Sequence, residues 1–166
     1  MSRSEVRAAT LSWFNPLGAW TNPPDQLDKV WASFPTEIDF RQNNRIQGIP
    51  THAQLVIFVV RQSETRISIG GQHDGWKYAT YNLVLQVYCE STLPDPVEAM
   101  ADIDLLIDAV HDRAVADHTF GQPSTTIFLA AEPDLAVTLG EPLQNDSGAT
   151  QQWAQFTFDV TQFFQA

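Results

Sequence analysis

From Leu55 to Glu90 the chain reads LVIFVVRQSETRISIGGQHDGWKYATYNLVLQVYCE, and the remaining residues are organised around this segment. Its first part is apolar and β-branched through Leu55, Val56, Ile57, Phe58, Val59 and Val60, while its last part alternates through Tyr81, Leu83, Leu85, Val87 and Cys89. Both parts predict strands. Between them lie a charged segment, Arg61 to Arg66, and a loop with Gly70, Gly71 and Gly75, residues that reach backbone angles closed to side chains. The pattern predicts a long β-hairpin with a shaped tip. A strand pair alone is marginal in water, so another part of the chain must cover its apolar face.

That cover follows directly. Leu93-Pro94-Asp95-Pro96 breaks the strand and opens a helix, with Asp95 as cap and Pro96 at the first helical position, running to about Asp117. Met100, Ile103, Leu106, Ile107, Val110 and Ala114 share one face, and Glu98, Asp102, Asp104, Asp108 and Asp112 gather on the other. Asp104, Asp108 and Asp112 stand one helical turn apart, where like charges repel by roughly a few tenths of a kcal/mol per pair. Such a ridge reads either as the wet face of an acidic protein or as a surface kept for a partner.

On the N-terminal side, Ser4 to Leu11 predicts a short helix that ends near Asn15-Pro16. Asp25 to Trp31 reads as one or two helical turns capped by Asp25 and stopped by Pro35, and Phe34 to Arg45 alternates only weakly. On the C-terminal side, Gly121 closes the long helix, strands are expected at Thr126–Ala131, Leu135–Leu139 and Gln152–Thr161, and Glu141 to Thr150 forms a polar loop. In the last strand Phe156, Phe158 and Val160 face one way and Thr157, Asp159 and Thr161 the other, so it should be half buried. The expected fold is α+β: a mixed, mainly antiparallel sheet with a long hairpin, covered by one long amphipathic helix and a short N-terminal helix. It forms a single domain over 1–166, with an irregular Pro-rich segment after the first helix in 1–54 and the sheet and helix core in 55–166.

The bulk properties fit one globular unit. A chain of 166 residues removes roughly 68–70% of its unfolded surface from water, and 43% apolar against 17% charged residues argues against general disorder. Twenty acidic residues against nine basic ones give a net charge of −11, which opposes broad binding to phosphates. Arg41, Arg45, Arg61, Arg66 and Lys77 leave room for a local basic patch. The lone Cys89 excludes an internal disulfide framework and reads as a buried thiol. No early run has the length of a signal peptide and none approaches a membrane span, so folding in a cytoplasm is expected.

Chemistry is hard to find in the residues. His52, His73, His111 and His118 have no zinc-like spacing, and Asp108, His111, Asp112 and His118 near one helix end gain from the helix dipole without any metal. Gly70-Gly71 lacks the spacing of either familiar phosphate-binding loop, and there is no GxSxG elbow. No catalytic residue, metal or cofactor is therefore expected. Charged strand ends, a glycine loop and Trp76 together have the anchor-and-rim character of an interface. A tip whose glycines merely permit the turn, with Trp76 folded back on the sheet, reads equally well.

The segment ETRISIGGQHDGWKYATYNLVLQVYCEST, with Glu64, Arg66, Ile67, Gly70, Gly71, Gly75, Lys77 and Tyr81, the acidic helix DPVEAMADIDLLIDAVHDR and the closing strand FTFDVTQFFQA resemble the tail terminator, or tail completion, proteins of long-tailed bacteriophages, those of actinobacteriophages in particular. The likeness covers about Leu55 to Ala166. It implies a non-enzymatic virion protein that forms a homohexamer ring at the head-proximal end of the tail. Such a ring caps the tube, stops its polymerisation, and contacts the major tail tube protein on one side and a head-completion or connector protein on the other. It further implies subunit contacts through Arg61, Glu64, Arg66, Gly70, Gly71, Trp76 and Lys77, and a ridge of Asp104, Asp108 and Asp112 facing a partner or a DNA conduit that binds no sequence. Another neck protein of the same particle, or a small ligand-binding or enzymatic domain, remains the alternative.

Overall fold

The structure, a computed structural model, describes residues 3–14, 27–36, 38, 50–67, 76–117, 119–121, 128–129 and 135–165. Among the described residues two helices, α1 (Arg3–Phe14) and α2 (Pro96–Val115), lie against a seven-stranded sheet. The strands are β1 (Lys29–Trp31), β2 (Thr51–Ile67), β3 (Trp76–Ser91), β4 (Phe128–Leu129), β5 (Ala136–Leu139), β6 (Leu143–Gln144) and β7 (Thr150–Gln165). The sheet order is β1-β2-β3-β7-β4, with β5 and β6 also paired to β7. Every pairing is antiparallel except that of β1 with β2. This is the expected α+β class.

The hairpin is longer than its apolar letters suggest. Arg61 to Arg66, expected as a charged segment between the strands, belongs to β2, which runs on to Ile67 and pairs here with Trp76 to Asn82. Backbone hydrogen bonds to β3 hold this polar segment extended, whatever its local preference. With 17 residues, β2 spans roughly 55 Å at about 3.3 Å per residue. Its ladder is broken once, by a bulge at Val60 between Val59 and Arg61. A single extra residue swaps the faces of everything beyond it. Before the bulge Ala53, Leu55 and Ile57 face the helices; after it Gln62 does, and accepts a 3.0 Å hydrogen bond from Arg3 Nε of α1.

The core lies between the helices and one sheet face. Tyr81, Leu83, Leu85 and Val87 of β3 and Phe156, Phe158 and Val160 of β7 pack against Val6 and Phe14 of α1 and Ile103, Leu106, Ile107 and Val110 of α2. The alternation expected for the last strand is present, with Asp159 exposed, but the strand extends over Thr150–Gln165. Asp95 caps α2 as expected, its Oδ1 accepting from Val97 N at 2.8 Å. The helix nevertheless ends at Val115, before Gly121. The Asp117 carboxylate accepts from Thr119 N and Gly121 N, and this side-chain turn competes with the helical ladder. Gly121 then supplies a backbone at φ 70°.

The segment read as helical turns before Pro35 is corrected at its end, where Lys29–Trp31 is a strand. Non-local partners decide this. Asp28 N donates to Ala53 O at 2.8 Å, Trp31 Nε1 donates to Gln54 Oε1 at 3.0 Å, and Val30 packs on the core. Asp25 itself lies outside the described residues. Of the strand expected at Thr126–Ala131, Phe128–Leu129 is a strand and the rest lies outside them. The loop expected at Glu141 to Thr150 contains β6 and a turn in which Asn145 Oδ1 accepts from Ser147 N and Ala149 N.

Candidate functional site

Past the Val60 bulge the sheet continues as an arm of β2, β3 and β7, with β4 paired to β7 at Val160 and Thr161, out to the rung Ile67–Trp76–Gln165. On the face away from the helices its rungs are Arg61–Asn82–Asp159 and Ser63–Thr80–Thr161. Asn82 Nδ2 donates to Asp159 Oδ1 at 2.9 Å, and the hydroxyls of Thr80 and Thr161 lie 3.3 Å apart. On the helix side the rungs are Gln62–Tyr81–Val160, Glu64–Ala79–Gln162 and Arg66–Lys77–Phe164.

The residues expected to act together are thus divided by the Val60 bulge. Arg61 and Glu64 are both exposed and occupy opposite faces. Arg66 and Lys77 hold directly opposed register positions, on the face that also carries Glu64. Trp76 closes the ladder opposite Ile67, and Gly70 and Gly71 lie outside the described residues. Glu64 has a role within the subunit. Burial first, then the carboxylates of Glu64 and Glu5, raise the Tyr81 phenol above its usual pKa, with Arg3 opposing.

Asp104, Asp108 and Asp112 are exposed along α2, as expected. The His111 ring lies 6.5 Å from that of Phe156 on β7, and helical spacing puts Asp104 and Asp108 on the same flank. Arg113 turns the opposite way, to Trp13 of α1. The ridge therefore runs along the β7 side of the helix layer. Asp102 is separate from it, accepting from Thr51 Oγ1 at 3.1 Å.

The second sheet face carries groups that local sequence patterns do not connect. His52 Nδ1 lies 3.1 and 3.0 Å from the two carboxylate oxygens of Asp28, with both side chains buried. Next to His52 in register, Glu90 accepts from Gln151 Nε2 at 2.7 Å and from Asn145 Nδ2 at 3.4 Å. Beside this network opens a cleft of about 210 Å³ lined by Tyr88, Glu141, Gln151 and Trp153, among others. The paired positions Tyr88 and Trp153 come from adjoining strands. The only sequence signal was a set of aromatic and acidic residues at the outward positions of half-buried strands.

Among the described residues, no group of three or more His, Cys, Asp or Glu side chains is placed to hold a metal ion. Nor is any helix among them long and apolar enough to cross a membrane. No model of a known protein family matches the chain, and no curated protein matches it significantly.

Proposed function

We propose that the chain is a structural subunit of a bacteriophage tail, a ring protein that caps the head-proximal end of the tail tube and presents the docking surface for the head. The observation that carries this reading is the arm, a hydrogen-bonded extension of the sheet whose β2 residues Arg61, Ser63, Glu64 and Thr65 are exposed. An ordered strand segment with exposed polar side chains of this kind suits contact between subunits. Ring closure needs two unlike surfaces on each subunit, mating head to tail around an axis. The arm and the acidic flank of α2 are unlike in position and in charge pattern. In the ring, the major tail tube protein lies on one side and a head-completion protein on the other, with Asp104, Asp108 and Asp112 lining a conduit that repels the DNA backbone.

A ligand-binding reading draws on the cleft beside Trp153, but about 210 Å³ is below the roughly 300–1,000 Å³ of small-molecule sites. Electron microscopy of particles that lack the protein tests the proposal. Tail tubes of uncontrolled length support termination, whereas tubes of normal length on joined heads count against it. Native mass spectrometry of the purified protein provides the second test, because a ring is expected and a strict monomer, alone or on tube ends, is not.

A further inference from the structure

We propose that the sheet itself joins copies of the chain, the open edge of β2 from Val60 onward adding head to tail to the open edge of β5 in a second copy; this rests on the ring reading and names the two surfaces that meet. Beyond Val56, β2 has β3 on one side and no strand on the other among the described residues. The same holds for β5, whose partner there is β7 alone. The two edges lie on opposite sides of one sheet, which runs from β2 through β3 and β7 to β5. A free edge offers a row of unpaired N–H and C=O groups to another strand. Both edges also hold apolar side chains in solvent. Val60 is 60% exposed near the exposed Phe34, whose ring packs on Phe58, and Val137 and Leu139 of β5 are 44% and 56% exposed.

Charge decides which edges meet. All nine basic residues lie at or before Arg113, so β4 to β7 carry none. Glu141, Asp146 and Asp159 are exposed on that side, and the aspartate ridge of α2 runs along it. The other side has Arg3 and Arg7 on α1, Lys29 on β1 and Arg61 on β2. Two β5 edges therefore repel, whereas unlike edges attract, and joints between unlike edges close as rings. Strand direction and pleat agree with this choice. β5 is antiparallel to β7, β7 to β3 and β3 to β2, so copies turned about an axis roughly along the strands meet as an antiparallel pair. Setting residues 60–63 against Ala136–Leu139 puts Arg61 beside Thr138, both on the face away from the helices, and Gln62 beside Val137, both on the helix side. Val137 stands level with Ile57 of its own chain, so this joint shifts the second copy along the strands by about four residues, or about 13 Å. Strands tilted to the ring axis supply such a stagger.

Two blocked variants test the joint by native mass spectrometry. Val60→Asp places a charge on the β2 edge and Leu139→Asp one on the β5 edge, both at positions exposed in the subunit. Each variant alone is expected to lose the wild-type ring and stay a monomer. Their equimolar mixture is expected to give a dimer and nothing larger, because each variant keeps the edge that the other lacks. Disulfide trapping reads the same contact without added charge: Arg61→Cys mixed with Thr138→Cys should cross-link faster than either alone. Wild-type rings that survive both aspartates, a dimer of one variant alone, or a mixture that neither dimerises nor cross-links overturns the joint, leaves the ring standing and gives the edges to another protein. Wild-type chains of unlimited length that the same substitutions abolish support the joint and count against the ring. A wild type that is monomeric, with no trapped dimers, overturns both.

Discussion

Trp13 and Arg113 clasp each other. The guanidinium carbon lies 3.5 Å from the centroid of the indole, Arg113 Nε and Nη2 donate to Trp13 O at 3.2 and 3.1 Å, and Trp13 Nε1 donates to Arg113 O at 2.9 Å. Each residue satisfies the backbone carbonyl of the other, so the ends of α1 and α2 are joined where orphan helical carbonyls would otherwise need water. Arg113→Ala is expected to lower stability by about 1–3 kcal/mol in urea denaturation. Arg113→Lys should recover little of it, since an ammonium can neither stack as a plane nor donate as a fork.

Gly140 sits against the Trp153 indole without room for a β-carbon. Gly140→Ala must push the ring aside or break the bond from Gly140 N to Trp153 O, and overpacking of this kind costs about 1–3 kcal/mol. A lower midpoint of thermal unfolding together with a shifted emission from Trp153 is expected. Unchanged stability would show that the ring has another resting place.

Cys89 is fully buried, and burial, followed by the Asp104 carboxylate, pushes its thiol up to about 12 from 9.0. The native protein therefore holds this proton over a pH range in which the unfolded chain releases it. Stability is fully present below about 9 and falls as pH rises from there toward about 12. Iodoacetamide at pH 8 should leave the folded protein unmodified and label it rapidly in urea. Labelling at equal rates in both states would contradict the burial.

Asp108 has an aspartate one helical turn away on either side. Asp108→Lys converts two repulsions into two attractions and is expected to stabilise the monomer by about 0.5–1 kcal/mol, measurable as a rise in melting temperature that high salt reduces. If the ridge lines a conduit, the same change should lower the yield of infectious particles while rings still form. A loss of both stability and rings would be the contrary result.

Gly71→Val tests the hairpin tip. The expected outcome is a folded monomer, unchanged by circular dichroism, that no longer forms rings in native mass spectrometry. Rings of normal mass would remove the tip from the subunit interface.

Much of this fold was legible because the signals were local. The apolar run of β2, the alternation of β3 and β7 and the Asp95-Pro96 start of α2 each lie within one segment and need no partner to be recognised. Lys29–Trp31 was misread because its strand exists only beside Gln54–Val56. Arg61 to Arg66 was misread for a similar reason: β3 supplies the hydrogen bonds that make charged residues into a strand. Of the candidate site, the acidic ridge was visible as a helical period, but its orientation required the contact between His111 and Phe156. The cleft was invisible, since Ile38, Tyr88, Glu141 and Trp153 meet only after folding.

The extra residue at Val60 also has a consequence for how the protein tolerates change. Up to Val59, odd-numbered positions of β2 should reject charge and even-numbered ones near the arm should accept it more readily; beyond the bulge the two parities exchange. A saturation scan of β2 should therefore show its tolerance pattern inverting at residue 60, and deletion of Val60 should erase the inversion. One residue thus separates a strand into two stretches free to evolve under different constraints, the first answering to the core and the second to whatever meets the arm.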